Sequence, residues 1–296
     1  MADKRLLIVY AHPDDESFGL GGLIAKYVKA GIQVDLICAT NGDVGTIDPE
    51  MLEGYASQAE LRLAELDCAS ALLGLTNVVT LNYKDSGMMG SEFNQDPECL
   101  WATYAREPEA VTRRVVTVMR ELRPQVVITF NKYGGYGHPD HIAIQQATTE
   151  AFEVVNDPDY VTDGLPAYQP QKLYYSSIPA WIIRIGILVT RLRRQNPRAL
   201  GRNKDIDIVK ILDNVEPEHV KVNVTDYMDD WAEASACHKS QGGGGRSSIF
   251  PMWLRRLLGV KQGFSRVYPA PVVDKIDEDD LFDNVTLDEA VLEPTL

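Results

Sequence analysis

The sequence has few cysteines, and their positions suggest no covalent framework. Cys38, Cys68, Cys99 and Cys237 form no CxxC pair and show no spacing typical of disulfide-rich domains. Cys38 and Cys68 lie in apolar contexts, so we expect both to be small core residues. A chain of 296 residues is long enough to bury a core without cross-links.

Positive charge is also scarce. The chain has 29 Lys and Arg against 43 Asp and Glu, which gives a formal net charge of −14. Binding to nucleic acid needs a clustered basic face, so we expect no nucleic-acid partner. General attraction to an anionic membrane is disfavoured for the same reason, whereas a small neutral substrate is compatible with this charge.

Long apolar runs are absent from the sequence. No stretch approaches about 18 uncharged apolar residues, so no transmembrane helix is expected. The first residues, MADKRLLIVYAHPDDE, contain an apolar run that is too short for a signal peptide and ends in acids. These features together predict a cytoplasmic protein.

Strand-like and helix-like segments alternate through the first 180 residues. The predicted strands are 5–11, 32–40, 77–83, 125–130 and 172–178. The predicted helices are 18–31, 57–74, 107–124 and 140–155, and 85–106 is expected to be irregular. Because the strands are continuously apolar, they favour a mainly parallel sheet with helices on both faces. The expected fold is therefore α/β and Rossmann-like.

The remainder of the chain is less regular in sequence. We expect residues 1–180 to form the catalytic core and 181–296 to form an irregular C-terminal extension. The extension is expected to contain a strand at 219–225 and a helix around 226–239. It should pack on the core and complete the substrate site, so that the whole chain forms one domain.

Four features of this extension remain open. Segments 181–195 and 249–262 are apolar with basic residues, and we favour packing within the molecule or an oligomer contact for both. A lid over the site or peripheral contact with a membrane are alternatives. Segment 241–248 contains four consecutive glycines and is predicted to be a mobile loop. The acidic tail, 274–296, is expected to lie on the surface or to be partly disordered.

An unusual acidic turn follows the first predicted strand. Residues 11–16 read AHPDDE, and three adjacent carboxylates repel one another unless a cation offsets their charge. His12 and Asp15 could form half of a site for a divalent metal such as zinc. Asp14 would then be free to act as a base for a water molecule. Glu16 and Ser17 are more simply interpreted as caps of the following helix.

A second stretch of the same kind follows the fourth predicted strand. Residues 134–141 read GGYGHPDH. Ligands of parallel sheets bind at the carboxyl ends of the strands, so the two stretches are expected to meet there. One further ligand would complete a catalytic site with an open position, and either His138 or His141 could supply it.

The two stretches together resemble the LmbE-like or PIG-L deacetylase family. That family includes N-acetylglucosaminyl-phosphatidylinositol deacetylases and enzymes of the mycothiol and bacillithiol pathways. The resemblance rests on AHPDDE and GGYGHPDH, with support from NGDVGT at 41–46 and LRLAELDCASALLGL at 61–75. It covers residues 4–180 well and the rest weakly.

The resemblance implies a role for each polar residue of the two stretches. His12, Asp15 and His141 would bind zinc, although iron(II) could occupy the same ligands. Asp14 would be the general base. The resemblance further implies three helpers: His138 to stabilise the charged intermediate or protonate the amine, Tyr136 to hold the oxyanion, and Asp140 to orient a histidine.

Substrate contacts are implied less specifically. By the resemblance, Arg62 would bind sugar hydroxyls, but a solvated helix face or an ion pair with Glu65 or Asp67 is the alternative. Asn41 and Asp43 could bind hydroxyls or simply form a turn. His238 resembles part of a late His-x-x-Gln stretch near the substrate.

The function implied by the resemblance is zinc-dependent hydrolysis of the N-acetyl amide of an N-acetylglucosamine-type glycoside. Acetate and a free amine would be the products, and a homo-oligomer is possible. The alternatives are an amidase acting on a glucosamine-linked thiol conjugate and a non-catalytic sugar-binding protein of the same fold. A nucleotide-binding enzyme is disfavoured, because GLGG at 19–22 lies beyond the turn that would hold the phosphates.

Overall fold

The computed structural model describes residues 4–45, 47–162, 164–201, 203–244 and 252–287. The strands are β1 (Arg5–Tyr10), β2 (Gln33–Thr40), β3 (Asn77–Tyr83), β4 (Val126–Thr129), β5 (Lys172–Ser177), β6 (Val220–Asn223) and β7 (Lys261–Tyr268). The helices are α1 (Asp15–Lys29), α2 (Gln58–Leu73), α3 (Leu100–Arg106), α4 (Pro108–Leu122), α5 (Gly134–Gly137), α6 (Pro139–Val154), α7 (Ala180–Leu192), α8 (Ile208–Asp213), α9 (Met228–Ser235) and α10 (Met252–Leu258).

All seven strands belong to one sheet, in the order β3-β2-β1-β4-β5-β7-β6. The first five pair in parallel, and β7 runs antiparallel to both of its neighbours, β5 and β6. Strands β1, β2 and β4 are buried along nearly their whole length, as expected for strands with helices on both faces. The predicted α/β, mainly parallel fold is confirmed.

Helices α3, α5, α7, α8 and α10 and strand β7 were not assigned from the sequence, and α3 and β7 show why. Residues 85–106 were expected to be irregular, but they include helix α3, whose seven residues are too few for a clear helical period. Strand β7 was not predicted, because KQGFSRVY mixes charged, polar and glycine residues with only three large apolar ones. Its partners on both sides nevertheless bury Phe264 completely.

Helix α9 packs against α1 at a point where α1 carries two glycines. A Cβ on Gly21 would lie 2.6 Å from Cδ1 of Trp231, and one on Gly22 would lie 3.1 Å from Val224. The Trp231 indole donates a hydrogen bond to the Ser17 carbonyl at 2.5 Å. The GLGG stretch is therefore explained by close helix packing.

A disulfide joins α2 to the segment after α9, which corrects the expectation for Cys68. Cys68 and Cys237 are bonded, with their Cα atoms 5.9 Å apart and a sequence separation of 169 residues. Cys68 is exposed, whereas Cys38 is buried and free, as predicted. Spacing could not reveal the bond because α9 meets α2 only in the folded chain.

Several expectations fall partly outside the described residues. These are positions 245–248 of the glycine-rich loop, 249–251 of the second apolar segment and 288–296 of the acidic tail. Among the described residues, no helix combines the length and apolarity needed to cross a bilayer.

Candidate active site

The two His-Pro-Asp stretches meet because β1 and β4 are neighbours in the sheet. Leu6, Leu7 and Ile8 pair with the first three residues of β4, so the two strands end side by side. His12 lies in the turn between β1 and α1, and His141 lies in the first turn of α6. The sheet edge therefore brings both stretches to one buried centre, as predicted.

Three donor atoms from these stretches lie close together. His12 Nδ1 is 3.0 Å from His141 Nε2 and 3.4 Å from Asp15 Oδ2, and His141 Nε2 is 3.3 Å from the same oxygen. Zinc bonds of about 2.0–2.1 Å in a tetrahedron place their donors roughly 3.3 Å apart. The three atoms thus have the separations that a tetrahedral zinc site requires.

Each histidine is oriented by a partner on its other ring nitrogen. His141 Nδ1 lies 3.1 Å from the Gly134 carbonyl, which accepts its proton and leaves Nε2 free to bind a cation. His12 Nε2 lies 3.2 Å from Asp140 Oδ2. Asp140 is fully buried and accepts hydrogen bonds from the Ser86 amide, at 2.8 Å, and from the Ser86 hydroxyl. Such outer partners are usual around metal-binding histidines.

Other combinations of side chains around this centre could also hold a metal ion. One is His12, His138 and His141, and the other is His12, Asp85, His138 and Asp140. We favour the set with Asp15 because Asp15 and His141 border the cavity described below. Asp140, in contrast, is already engaged by Ser86 and His12.

Asp14 lies next to these donors in a strained backbone conformation. Its φ of 142° is rare for a residue with a side chain. One carboxylate oxygen lies 3.2 Å from the Arg62 guanidinium, and its amide donates to Glu16 Oε2 at 3.1 Å. Burial raises the pKa of Asp14 to about 7, although Arg62 opposes the shift. Asp14 can therefore exchange a proton near neutral pH.

His138 is held as a neutral imidazole. Its Nδ1 accepts a hydrogen bond from the Asp140 amide at 3.2 Å, so its proton resides on Nε2. Burial and the neighbouring rings of His12 and His141 hold the pKa of His138 well below its usual value. The Tyr136 ring lies 6.0 Å from the His138 ring and 5.0 Å from the His141 ring. Burial raises the Tyr136 pKa, so its hydroxyl remains a hydrogen-bond donor.

A cavity of about 350 Å³ opens beside Asp14, Asp15 and His141. Tyr136 forms part of its wall, together with Ser176 and Gln262. The remaining wall is largely apolar and includes Tyr10, Phe18, Leu20, Phe130, Ile178, Ile211 and Val215. The site thus offers a nucleophile-activating centre at one side of a pocket large enough for a small ligand.

Comparison with known proteins supports the family resemblance drawn from the two motifs. Residues 7–152 match the family model described as PIG-L, GlcNAc-PI de-N-acetylase. A 1D-myo-inositol 2-acetamido-2-deoxy-alpha-D-glucopyranoside deacetylase of Rhodococcus jostii is 34% identical over 255 residues, which cover 81% of this chain and 82% of that protein. This chain belongs to the PIG-L family. The resemblance inferred from the two motifs is confirmed.

Two further relatives define the extent of the similarity to PIG-L proteins. The enzyme of the same name from Thermomonospora curvata is 39% identical over 198 residues, and the aligned part spans 65% of that protein and 64% of this chain. The N,N'-diacetylchitobiose deacetylase of Pyrococcus horikoshii has a TM-score of 0.59 at 20% identity, covering 92% of this chain and 88% of the other. This structural similarity supports the α/β fold described above.

One residue of this PIG-L site, Glu16, was misinterpreted from the sequence, and a second, Asp85, was considered with Lys84 only as a possible substrate contact. Glu16 was expected to cap α1, but it is fully buried, its Oε1 lies 2.7 Å from His238 Nε2 and its Oε2 binds the Asp14 amide. Asp85 lies 3.6 Å from both His12 and Arg62. Its position just after β3, on the same sheet edge, is the sequence feature that pointed to it.

The predicted substrate residues have different surroundings. Arg62 is buried and donates to the Pro13 carbonyl at 3.0 Å as well as to Asp14, so the solvated-face alternative is excluded. Asn41 accepts from the Asp43 amide, and Asp43 accepts from the Asp85 amide at 2.9 Å, so both stabilise loops at the sheet edge.

His238 occupies a different place from the other predicted substrate residues. It is fully buried against Glu16 and does not line the cavity. Any influence of His238 on a bound ligand is therefore indirect, through Glu16 and the Asp14 amide or through the Phe18 ring, which lies 5.7 Å from the His238 ring and lines the cavity.

Proposed function

We propose that this protein hydrolyses the N-acetyl amide of an N-acetylglucosamine-type glycoside and releases acetate and a free amine. The observation that carries the proposal is the cluster of His12 Nδ1, Asp15 Oδ2 and His141 Nε2, with Asp14 beside it at the cavity. The PIG-L relatives that are named as deacetylases support the same reaction.

Zinc is the metal that these residues fit best. Two imidazole nitrogens and one carboxylate oxygen form a typical catalytic zinc set, and iron(II) accepts the same ligands. His12, Asp15 and His141 would hold the ion. When bound, it would supply Lewis acidity, which makes water nucleophilic at neutral pH and polarises the amide carbonyl.

Asp14 is the proposed general base and, later, the general acid. It accepts a proton from the attacking water and then delivers it to the departing amine. A pKa of about 7 suits both steps, because the carboxylate gains and loses a proton at little cost near neutral pH. His138 is less suited to deliver this proton, since its pKa is held well below its usual value.

His138 and Tyr136 are proposed to stabilise the tetrahedral intermediate. Both would donate a hydrogen bond to the developing oxyanion, Tyr136 from the cavity wall and His138 through the proton on its Nε2, which lies 3.9 Å from Asp85 Oδ1 in this structure. Such preorganised donors contribute about 2.7–4 kcal/mol each in other hydrolases. Asp140 would act by fixing the His12 ring and by donating its amide to His138.

Substrate recognition is proposed at the loops around the cavity. The two relatives from Thermomonospora and Rhodococcus are named for an inositol-linked N-acetylglucosaminide. We therefore propose an N-acetylated sugar conjugate of similar size as the substrate. The part of the site that binds the sugar would be shaped by the loops that contain or contact Arg62, Asn41 and Asp43. His238 would act indirectly, through Glu16.

The deciding experiment measures amine release from N-acetylglucosamine and its α-glycosides with inositol, thiol-conjugate and alkyl aglycones. Wild type, the metal-free protein with zinc or iron(II) restored, Asp14→Asn and His141→Ala are compared, with bound metal measured in each. We expect Asp14→Asn to retain metal and to lose about 10²- to 10⁴-fold in rate. His141→Ala should lose the metal as well as the activity.

Two results would overturn the proposal. Metal binding without amine release from any glycoside would favour a different amide or sugar binding without chemistry. Activity that survives in both Asp14→Asn and the metal-free protein would place the reaction at another site.

A further inference from the structure

Helices α7 and α10 expose large apolar side chains that nothing else in the described part of the chain covers. On α7 these are Trp181, Leu188 and Leu192, the last 75% exposed. On α10 they are Trp253 and Leu257, which are 67% and 76% exposed. Exposed apolar surface of this kind marks a contact with another phase or molecule.

Helix α7 has two apolar faces on opposite sides. Its inner face carries Ile183 and Ile187, which pack on α8 near Tyr136. At about 100° per residue, Trp181, Leu188 and Leu192 fall within roughly 40° of one another on the side opposite this packed face. The outer face therefore carries a continuous apolar stripe.

Both helices are basic in a protein that is strongly acidic overall. Residues 180–198 contain five arginines and no aspartate or glutamate, against a net charge of −14 for the chain. Residues 252–262 contain Arg255, Arg256 and Lys261 and no acid, but Arg256 pairs with Asp229 and Arg255 lies over the Trp231 ring, so the unpaired positive charge is mainly on and just after α7. Within the described residues, no ion pair involves Arg184, Arg191, Arg193 or Arg194, and all four are exposed.

The two helices leave the same edge of the sheet. Ser177, at the end of β5, pairs with Gly263 near the start of β7, so α7 begins close to where α10 ends. Ile178, just before α7, and Gln262, just after α10, both line the cavity. The apolar and basic face is thus placed beside the entrance to the proposed active site.

We infer that α7 and α10 form a surface that docks on an anionic lipid bilayer. Indole and leucine side chains on an exposed helix face, with arginines beside it and at its end, are the composition of interfacial helices, in which apolar groups enter the lipid and arginines meet the headgroups. A second copy of this chain fits the surface less well. A two-fold interface would bring the same basic patch of two copies together, and neither 180–198 nor 252–262 contains an acid to offset the charge.

The test is flotation of the full-length protein with phosphatidylcholine vesicles, with and without phosphatidylglycerol. We expect binding only to the anionic vesicles, a loss of binding as salt is raised, and a blue shift in tryptophan emission. Arg191→Gln with Arg194→Gln should weaken the partition coefficient by about 25-fold, since each arginine near an anionic surface contributes roughly fivefold. Leu188→Gln with Leu192→Gln should also abolish the blue shift.

Matched controls are Arg113→Gln on α4 and Leu72→Gln on α2, both exposed and remote from α7. They should bind vesicles like wild type. The inference is overturned if wild type does not float with anionic vesicles, or if the control variants lose as much binding as the α7 variants. It is also overturned if α7 instead mediates a concentration-dependent dimer that Leu188→Gln dissolves. None of these outcomes depends on deacetylase activity.

Discussion

Replacement of Arg62 by methionine tests how the candidate base is tuned. The guanidinium is buried, lies 3.2 Å from Asp14 Oδ2 and opposes the effect of burial on that carboxyl. A cation at this distance lowers the pKa of a carboxyl by about 1–3 units. Its removal should therefore raise the Asp14 pKa further above 7.

The sign of the effect on activity follows from the role of Asp14 as a base. Asp14 must be ionised to accept a proton, so a higher pKa leaves less active enzyme at a given pH below it. The acid limb of kcat/KM should move to higher pH by about 1–3 units, and activity should recover at alkaline pH. A bound metal dication would lower the pKa that sets the acid limb in wild type and in Arg62→Met alike, so the difference between the two pKa values would remain.

The assay is the pH dependence of kcat/KM, measured by amine release, with metal content and stability recorded for each protein. Arg62→Met should also lose about 1–3 kcal/mol of stability, because Asp14 and the Pro13 carbonyl lose their hydrogen-bond donor. Arg120→Met is the matched control, since Arg120 is equally buried but binds carbonyls, a threonine and the Tyr160 ring, none of which belongs to the candidate site. A uniform loss at all pH values, or a limb shift in the control too, would refute the reasoning.

Three further predictions concern the contacts of α1 and α2 with the C-terminal segment. Reduction of the Cys68–Cys237 bond by dithiothreitol should lower the stability of wild type by about 2–4 kcal/mol. The double variant Cys68→Ser with Cys237→Ser should have this lower stability with and without the reductant. A reductant effect on the double variant would contradict the prediction. Glu16 raises the pKa of His238 above 6.5, although burial opposes the shift. In urea unfolding, wild type should therefore be more stable than Glu16→Gln by a margin that is complete below pH 6.5 and declines as pH rises through the raised pKa. A margin that grows with pH would contradict this prediction. Gly21→Ala should cost about 1–3 kcal/mol in thermal or urea unfolding by displacing Trp231, whereas Gly19→Ala, whose Cβ would meet nothing closer than 3.6 Å, should be tolerated.

Most of the fold could be predicted from sequence because its strands are continuous apolar runs. Strands β1 to β5 and four long helices were found within a few residues of their bounds, and β6 was recognised from HVKVNVT. The exceptions have local causes. Strand β7 owes its burial to its neighbours rather than to its own composition, and α3 is too short to show a period.

The site was predictable to the extent that its residues stand in the two motifs. His12, Asp15 and His141 were placed by AHPDDE and HPDH, and the structure brings their donor atoms together. The role of Glu16 could not be inferred, because its partner, His238, is 222 positions away. The Cys68–Cys237 bond was hidden for the same reason.

The buried pair of Glu16 and His238 has a consequence for synthesis of the chain. Every proposed metal ligand is made by residue 141, yet the carboxylate that accepts from the Asp14 amide acquires its partner only when residue 238 has emerged from the ribosome. Until then an uncompensated acid faces the interior beside the acidic turn. The catalytic turn therefore matures late, and a fragment ending near residue 180 would contain the complete ligand set without the contact that holds Glu16 in place.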